Sequence, residues 1–169
     1  MDYMLDYLPL LFSLFLLLLS VKYYIECIMK VSELMTKNLV TVTQDDMLDK
    51  VFSHFYFRSI RHIPVVTEKG TLVGIISDRD TRKMLGPKQK SYVQKDGTVL
   101  TVSARKVRTI MRRKPITIGP NDKAAEAAVI MVKNNISALP VVRNKKLVGI
   151  ITATDILKAF VNLSNMVQQ

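Results

Sequence analysis

One cysteine, two histidines and no tryptophan occur among 169 residues, and each scarcity removes a class of explanation. A lone Cys27 allows no intrachain disulfide and no zinc cluster built on cysteines, and it suits a reducing, cytoplasmic setting. His54 and His62 form no metal-binding spacing, so no metal is assigned. Neither histidine, nor the cysteine, sits beside a recognisable base or orienting partner, which leaves covalent catalysis poorly provided for. The Gly-x-x-x-x-Gly-Lys loop, the Gly-x-Gly-x-x-Gly fingerprint and the Gly-x-Ser-x-Gly elbow are all missing. The chain therefore reads as a non-enzyme with no required cofactor.

Acid is also scarce: 14 Asp and Glu face 25 Lys and Arg, for a net charge of +11. Residues 1–28 hold Lys22 against Asp2, Asp6 and Glu26, so the whole positive surplus lies beyond them. Such a balance favours anionic partners, namely nucleotides, nucleic acid or acidic membranes.

Long apolar runs are limited to one. Tyr7 to Val21 is uncharged over 15 residues, about 22 Å as a helix at roughly 1.5 Å per residue, against about 30 Å of bilayer core. Extending it to Met29 includes Lys22 and Glu26, each costly away from the interface. Asp2 and Asp6 at the amino end do not fit a signal peptide. Two readings of 1–28 stand: Met29 is the true start, or residues 7–28 form an apolar helix that anchors the chain with its carboxyl side cytoplasmic.

What the chain has in abundance is self-similarity. Met35 and Met111, and Pro64 and Pro140, are each 76 residues apart; Gly74 and Gly149, and Asp80 and Asp155, are 75 apart. The one-residue change falls between Thr67–Thr71 and Arg143–Lys146, where a hairpin turn tolerates it. Leu39 to Val42 and Ile116 to Ile118 predict short strands. A helix should follow each, opened by Thr43 with Asp46 as a capping box and by Gly119 with Pro120. Met47, Val51, Phe52 and Phe55 predict the buried face of the first helix; Ala124, Ala128, Met131 and Val132 predict that of the second. Hairpins over Ile63–Val66 with Leu72–Ile76, and Leu139–Val142 with Leu147–Ile151, lead into closing helices. The fold class is thus α+β: strand, helix, strand, strand, helix, twice, with repeats at 29–85 and 107–169. A linker spans 86–106, with Val99 to Val102 a candidate strand. One repeat of about 60 residues buries too little surface to be secure alone; two would share a core and leave clefts between them.

Three duplicated features, in order, resemble the cystathionine β-synthase (CBS) domain pair, or Bateman module, over about Val31 to Val161. They are Val-Ser-Glu-Leu-Met-Thr with Val-Arg-Thr-Ile-Met-Arg, Arg-His-Ile-Pro-Val-Val with Ser-Ala-Leu-Pro-Val-Val, and two Gly-Ile-Ile-Ser/Thr-x-x-Asp junctions. The stand-alone form is similar to the small acetoin-utilisation type. The resemblance implies two repeats packed about a pseudo-twofold axis, a homodimer, and an adenine nucleotide as regulatory ligand between the repeats. It implies a first site of Asp155, Thr152 and Thr154 with Arg61, His62 and Ser137, and with Leu39 and Val40 flanking the base. The residue chemistry agrees: Asp155 can accept from both ribose hydroxyls, and Thr152 and Thr154 stand at a helix N-terminus suited to anions. A second, weaker site would use Ser77, Asp80, Ile116 and Thr117. There Arg79 replaces the counterpart of Thr154, either to clasp a di- or triphosphate or to fill an empty site by pairing with Asp78 or Asp80.

Plainer readings compete. Asp80 and Asp155 could be helix caps alone. The basic run Arg105 to Lys114 could bind nucleic acid or an acidic protein, or be a solvated helix with Val107, Ile110 and Met111 turned inward. No aromatic residue interleaves with those charges, so stacking on single strands lacks a platform. The leading expectation is a sensor that signals to an effector protein; the rival is a structural or nucleic-acid-binding module with empty clefts.

Overall fold

The computed structural model describes residues 29–85 and 105–167. The apolar segment 1–28, most of the linker and the candidate strand Val99 to Val102 lie outside the described residues. Within them each copy sets a helix against a hairpin. The first copy has α1 (Val31–Leu34), α2 (Leu48–Phe57), β1 (His62–Val66), β2 (Leu72–Ser77) and α3 (Asp78–Leu85). The second has a 3-10 turn (Val107–Thr109), β3 (Arg112–Arg113), α4 (Ala124–Asn134), β4 (Ala138–Arg143), β5 (Lys146–Thr152) and α5 (Ala153–Val167).

The duplication persists to atomic detail. Ile63 lies opposite Ile76 across β1 and β2, as Leu139 lies opposite Ile151 across β4 and β5, and the register of both hairpins slips at the equivalent Val65/Val66 and Val141/Val142. Thr71 bridges Lys146. These two residues are equivalents 75 apart, and equivalents meet each other where a twofold axis passes.

The leading strand of each copy is cut to its minimum. Val42 bridges Val65 in parallel, and Ile118 bridges Val141. Val42 N–H donates to the Pro64 carbonyl at 3.2 Å and Ile118 N–H to that of Pro140 at 3.2 Å. The next rung would need an N–H from Pro64 or Pro140, and proline has none. Pairing therefore stops short of Val40 and Ile116, whose main chains stay outside the ladder.

Two helix starts differ from the sequence expectation. Asp46 accepts from Thr43 N–H at 2.7 Å, and Asp122 from Gly119 N–H at 2.7 Å. Both pairs close a tight turn ahead of the helix, whose N-caps are Met47 and Lys123. The carboxylate of Asp46 is held below its ordinary range: burial opposes this, but the Thr43 N–H and the Lys50 ammonium prevail. Most of each expected inward face holds: Val51, Phe52 and Phe55 are buried on the first helix, and Ala124 and Met131 on the second. Leu48 is buried while Met47 is 45% exposed, and Ala127 is buried while Val132 is 82% exposed and Ala128 is only half-buried.

The described residues form two cores, and each borrows from the other copy. Val31, near the start of the first repeat, is fully buried with Ile118, Leu139, Val141 and Ile151 of the second. Val107, at the start of the second, is fully buried with Val42, Leu48, Ile63 and Val65 of the first. Backbone pairing follows the same exchange: β3 adds to β2, and Thr36 bridges Ile150. The glycines of the two Gly-Ile-Ile motifs make room for these crossing segments. A Cβ on Gly74 would come 2.9 Å from the sulfur of Met111, and one on Gly149 would crowd Met35. The crossing sets the two strand-to-helix junctions beside the opposite copy.

Candidate functional site

A cleft of about 470 Å³ opens between the copies, and all eight residues expected of the first site line it. The strand β5 ends at Thr152, and α5 begins at once with Ala153. The Oδ2 of Asp155 accepts from Thr152 N–H at 2.8 Å and from Thr152 Oγ1 at 2.7 Å, and Asp155 N–H donates to Thr152 Oγ1 at 3.3 Å. This is a reciprocal cap, so the plainer reading of Asp155 is part of the structure. It occupies one carboxylate oxygen and leaves the other oxygen of this half-buried, cleft-lining residue for a further donor.

The opposite wall comes from the first copy. Helix α2 ends at Phe57, and Ser59, with a φ of 51°, turns the chain into Arg61 and His62 at the head of β1. The left-handed residue just past a helix is a common way to stop it. Asn135, φ 50°, does the same after α4 and leads to Ser137. Ser137 Oγ and His62 Nε2 are hydrogen-bonded at 3.1 Å, and both residues line this cleft and the next. Burial draws the imidazole of His62 below its ordinary 6.5; Asp80 opposes this, Arg61 adds to it and Asp78 opposes it. His62 is therefore neutral at pH 7 and serves as a hydrogen-bonding group. Leu39 and Val40 complete the apolar side, next to the ladder that Pro64 ends.

The second cleft, about 430 Å³, holds Ser77, Arg79, Asp80 and Ile116. Thr117 is not among its lining residues. Asp80 N–H donates to Ser77 Oγ at 3.0 Å, but the Asp80 carboxylate faces Arg112, whose Nη2 is 3.7 Å from Oδ2. Asp78 is held by Arg82 at 2.9 Å. Neither of the pairings open to Arg79 at the sequence level is made; its side chain is exposed at the cleft edge. Sequence reasoning missed Lys83, Arg112 and Lys114 here, and Thr36 and Asn38 in the first cleft. The offset of 76 relates Thr36 to Arg112 and Asn38 to Lys114, so one member of a pair points to the other, but no sequence signal marked Lys83.

The rest of the basic run behaves as a solvated surface. Lys106 Nζ and Arg108 Nη1 both pair with Asp45, at 3.1 and 2.8 Å, and Val107 and Met111 point inward. Among the described residues no helix is long and apolar enough to cross a membrane.

Comparison with known proteins agrees with this geometry. The CBS domain family matches residues 31–86 and again 107–162. Protein MJ1225 of Methanocaldococcus jannaschii is 37% identical over 131 residues, which is 77% of this chain and 46% of that protein. The chain spans half or less of the length of the first curated relatives it matches. Among solved structures, the CBS domain pair of protein MJ0100, in complex with 5′-methylthioadenosine and S-adenosyl-L-methionine, superposes with a TM-score of 0.67 at 29% identity, covering 80% of this chain and 98% of that one. An acetoin utilization protein (AcuB) from Vibrio cholerae gives a TM-score of 0.67 at 28% identity, covering 83% and 96%.

Proposed function

This chain belongs to the CBS domain family as a tandem pair, and we propose that it is a non-catalytic sensor that binds an adenine nucleotide or related adenosyl ligand and signals to a partner. The observation that carries the reading is the make-up of the first cleft. It gathers a carboxylate with one oxygen uncommitted, two threonine hydroxyls at a helix start, a guanidinium and a flanking apolar pair. Ribose hydroxyls, phosphate and a flat base are complementary to those groups in turn. A related pair, MJ0100, was solved with two adenosyl compounds, which supports the ligand class.

Signalling needs a ligand that prefers one arrangement of the copies. The first cleft is suited to that, because its walls belong to different copies. The surface that changes, and that an effector protein would read, is proposed to be that of an assembled homodimer. Tyr56 and Phe57 on α2, Val129 and Val132 on α4, and Leu157 and Phe160 on α5 are large, apolar and exposed. Sedimentation should find a dimer, and Val132→Asp with Phe160→Asp should give monomers; a wild-type chain that stays monomeric at tens of micromolar removes this part of the proposal.

The ligand itself is tested by a thermal-shift screen with AMP, ADP, ATP, S-adenosylmethionine, 5′-methylthioadenosine and RNA. A true ligand at roughly 100 times its Kd adds about 2.7 kcal/mol, a rise of roughly 5–10 °C. If no adenosyl compound moves the transition while RNA binds with steep salt dependence, the basic surface is the functional one.

A further inference from the structure

The two clefts are related by the repeat but not by charge. In the first, the charged lining residues among those described are Arg61 and Asp155, one of each sign. Among the described residues of the second, Arg79, Lys83, Arg112 and Lys114 face a single carboxylate, Asp80. The difference is concentrated at equivalent positions: Thr36, Asn38 and Thr154 of the first cleft correspond to Arg112, Lys114 and Arg79 of the second. A neutral polar residue has become a cation at three places around one cavity, contributed by β3, the turn after it and α3. The backbone marks the same rim. Lys114 is held at a φ of 48°, a left-handed conformation that sterics disfavour for residues with a Cβ and that concentrates at ligand sites.

We infer that the clefts have divided the ligand class between them. The second takes nucleoside di- and triphosphates, and the first takes adenosyl ligands with little or no phosphate charge. This rests on the adenosyl reading above. A cavity lined by one sign of charge raises the local concentration of the opposite sign, and a triphosphate presents several anionic oxygens where AMP presents one group. Arg79 and Arg112 can each meet two such oxygens in a fork, and Lys83 and Lys114 act as point charges. The weak 3.7 Å contact between Arg112 and Asp80 is easily exchanged for phosphate, freeing the carboxylate for ribose. In the first cleft, among the described residues, a triphosphate would meet one cation, Arg61, with a neutral His62 beside it.

The test converts each cleft into the other on the whole chain. Calorimetric titrations with ATP, AMP and 5′-methylthioadenosine are run on the wild type, on Arg79→Thr/Arg112→Thr/Lys114→Asn, and on Thr36→Arg/Asn38→Lys/Thr154→Arg. The first variant should lose ATP affinity by roughly 100-fold or more, the scale of two charge-assisted hydrogen bonds, and keep 5′-methylthioadenosine affinity within about threefold. The reverse variant should gain a second ATP site. In the wild type, ATP affinity should fall with added salt more steeply than 5′-methylthioadenosine affinity. Should the triple variant not fold, Arg79→Thr alone, at an exposed helix position, should cost ATP about tenfold. Adenosyl ligands that bind the wild type with an ATP preference unmoved by either conversion overturn the division and leave the sensor reading intact. No adenosyl binding in any form removes the sensor reading itself.

Discussion

Asp155→Asn should weaken AMP and 5′-methylthioadenosine by roughly 10- to 100-fold, because a hydrogen bond to a charged group contributes about 1.5–3 kcal/mol and the amide keeps an acceptor but loses the charge. The asparagine oxygen can still receive Thr152 N–H, so the cap at the start of α5 survives and stability changes little. Asp155→Ala should lose affinity further and also destabilise the fold by about 0.5–2 kcal/mol, the usual cost of removing a helix cap. The pair of variants separates two roles: Oδ2 closes the cap, and the other oxygen is the one proposed to accept from ribose. Asp80→Ala should affect these two ligands much less, since its cleft is the one argued to serve polyphosphates. Titration calorimetry with a parallel urea melt reads all three variants. Equal affinity losses at Asp80 and Asp155 would contradict the assignment. Losses that track stability alone would reduce Asp155 to a cap.

Val107→Asp should destabilise the protein by several kcal/mol, a large part of the roughly 5–15 kcal/mol that holds a domain of this size. Val107 is fully buried among Val42, Leu48, Ile63 and Val65, and nothing in that apolar cluster can pair with a carboxylate. The place where the damage appears is more informative than its size. By sequence Val107 belongs to the second copy, but it packs in the core of the first. Hydrogen exchange should therefore quicken first in Leu48–Phe57 and His62–Val66, while Ala138–Arg143 and Lys146–Thr152 respond later. Val31→Asp should give the mirror image, since Val31 lies against Leu139 and Ile151. An urea midpoint within about 0.5 kcal/mol of wild type, or exchange that quickens first in the variant's own repeat, would show that the crossing contributes little.

The crossing also explains why the motifs take the form they do. Glycine in Gly-Ile-Ile and methionine in Leu-Met-Thr and Ile-Met-Arg are far apart in sequence, and each looks unremarkable alone. In space Gly74 receives Met111 and Gly149 receives Met35, so a side chain at either glycine would push the other copy's leading segment off the sheet. Proline in Pro-Val-Val is likewise a stop signal for the parallel bridge, which keeps Val40 and Ile116 out of the ladder and at the cleft walls.

Local chemistry and periodicity were enough to establish the repeat, its hairpins and the α+β class, while the set of eight residues that line the first cleft came from the resemblance to the CBS pair. Each of those depends on order along the chain: alternation makes strands, a carboxylate three residues past a hydroxyl marks a helix start, and a constant offset relates the copies. The helix faces were read correctly at Val51, Phe52, Phe55, Ala124 and Met131 and missed at Met47, which is the cap and not a helical residue, and at Ala128 and Val132, where the 3.6-residue period carries the chain towards the margin of the buried stripe. Arg112 and Lys114 read as part of a surface charge run; only the pairing of β3 with β2 of the other copy turned them into a cleft. Which copy a segment stabilises, and which charges a cavity collects, are decided by burial and distance between residues far apart in sequence. Those quantities exist only once the chain has folded.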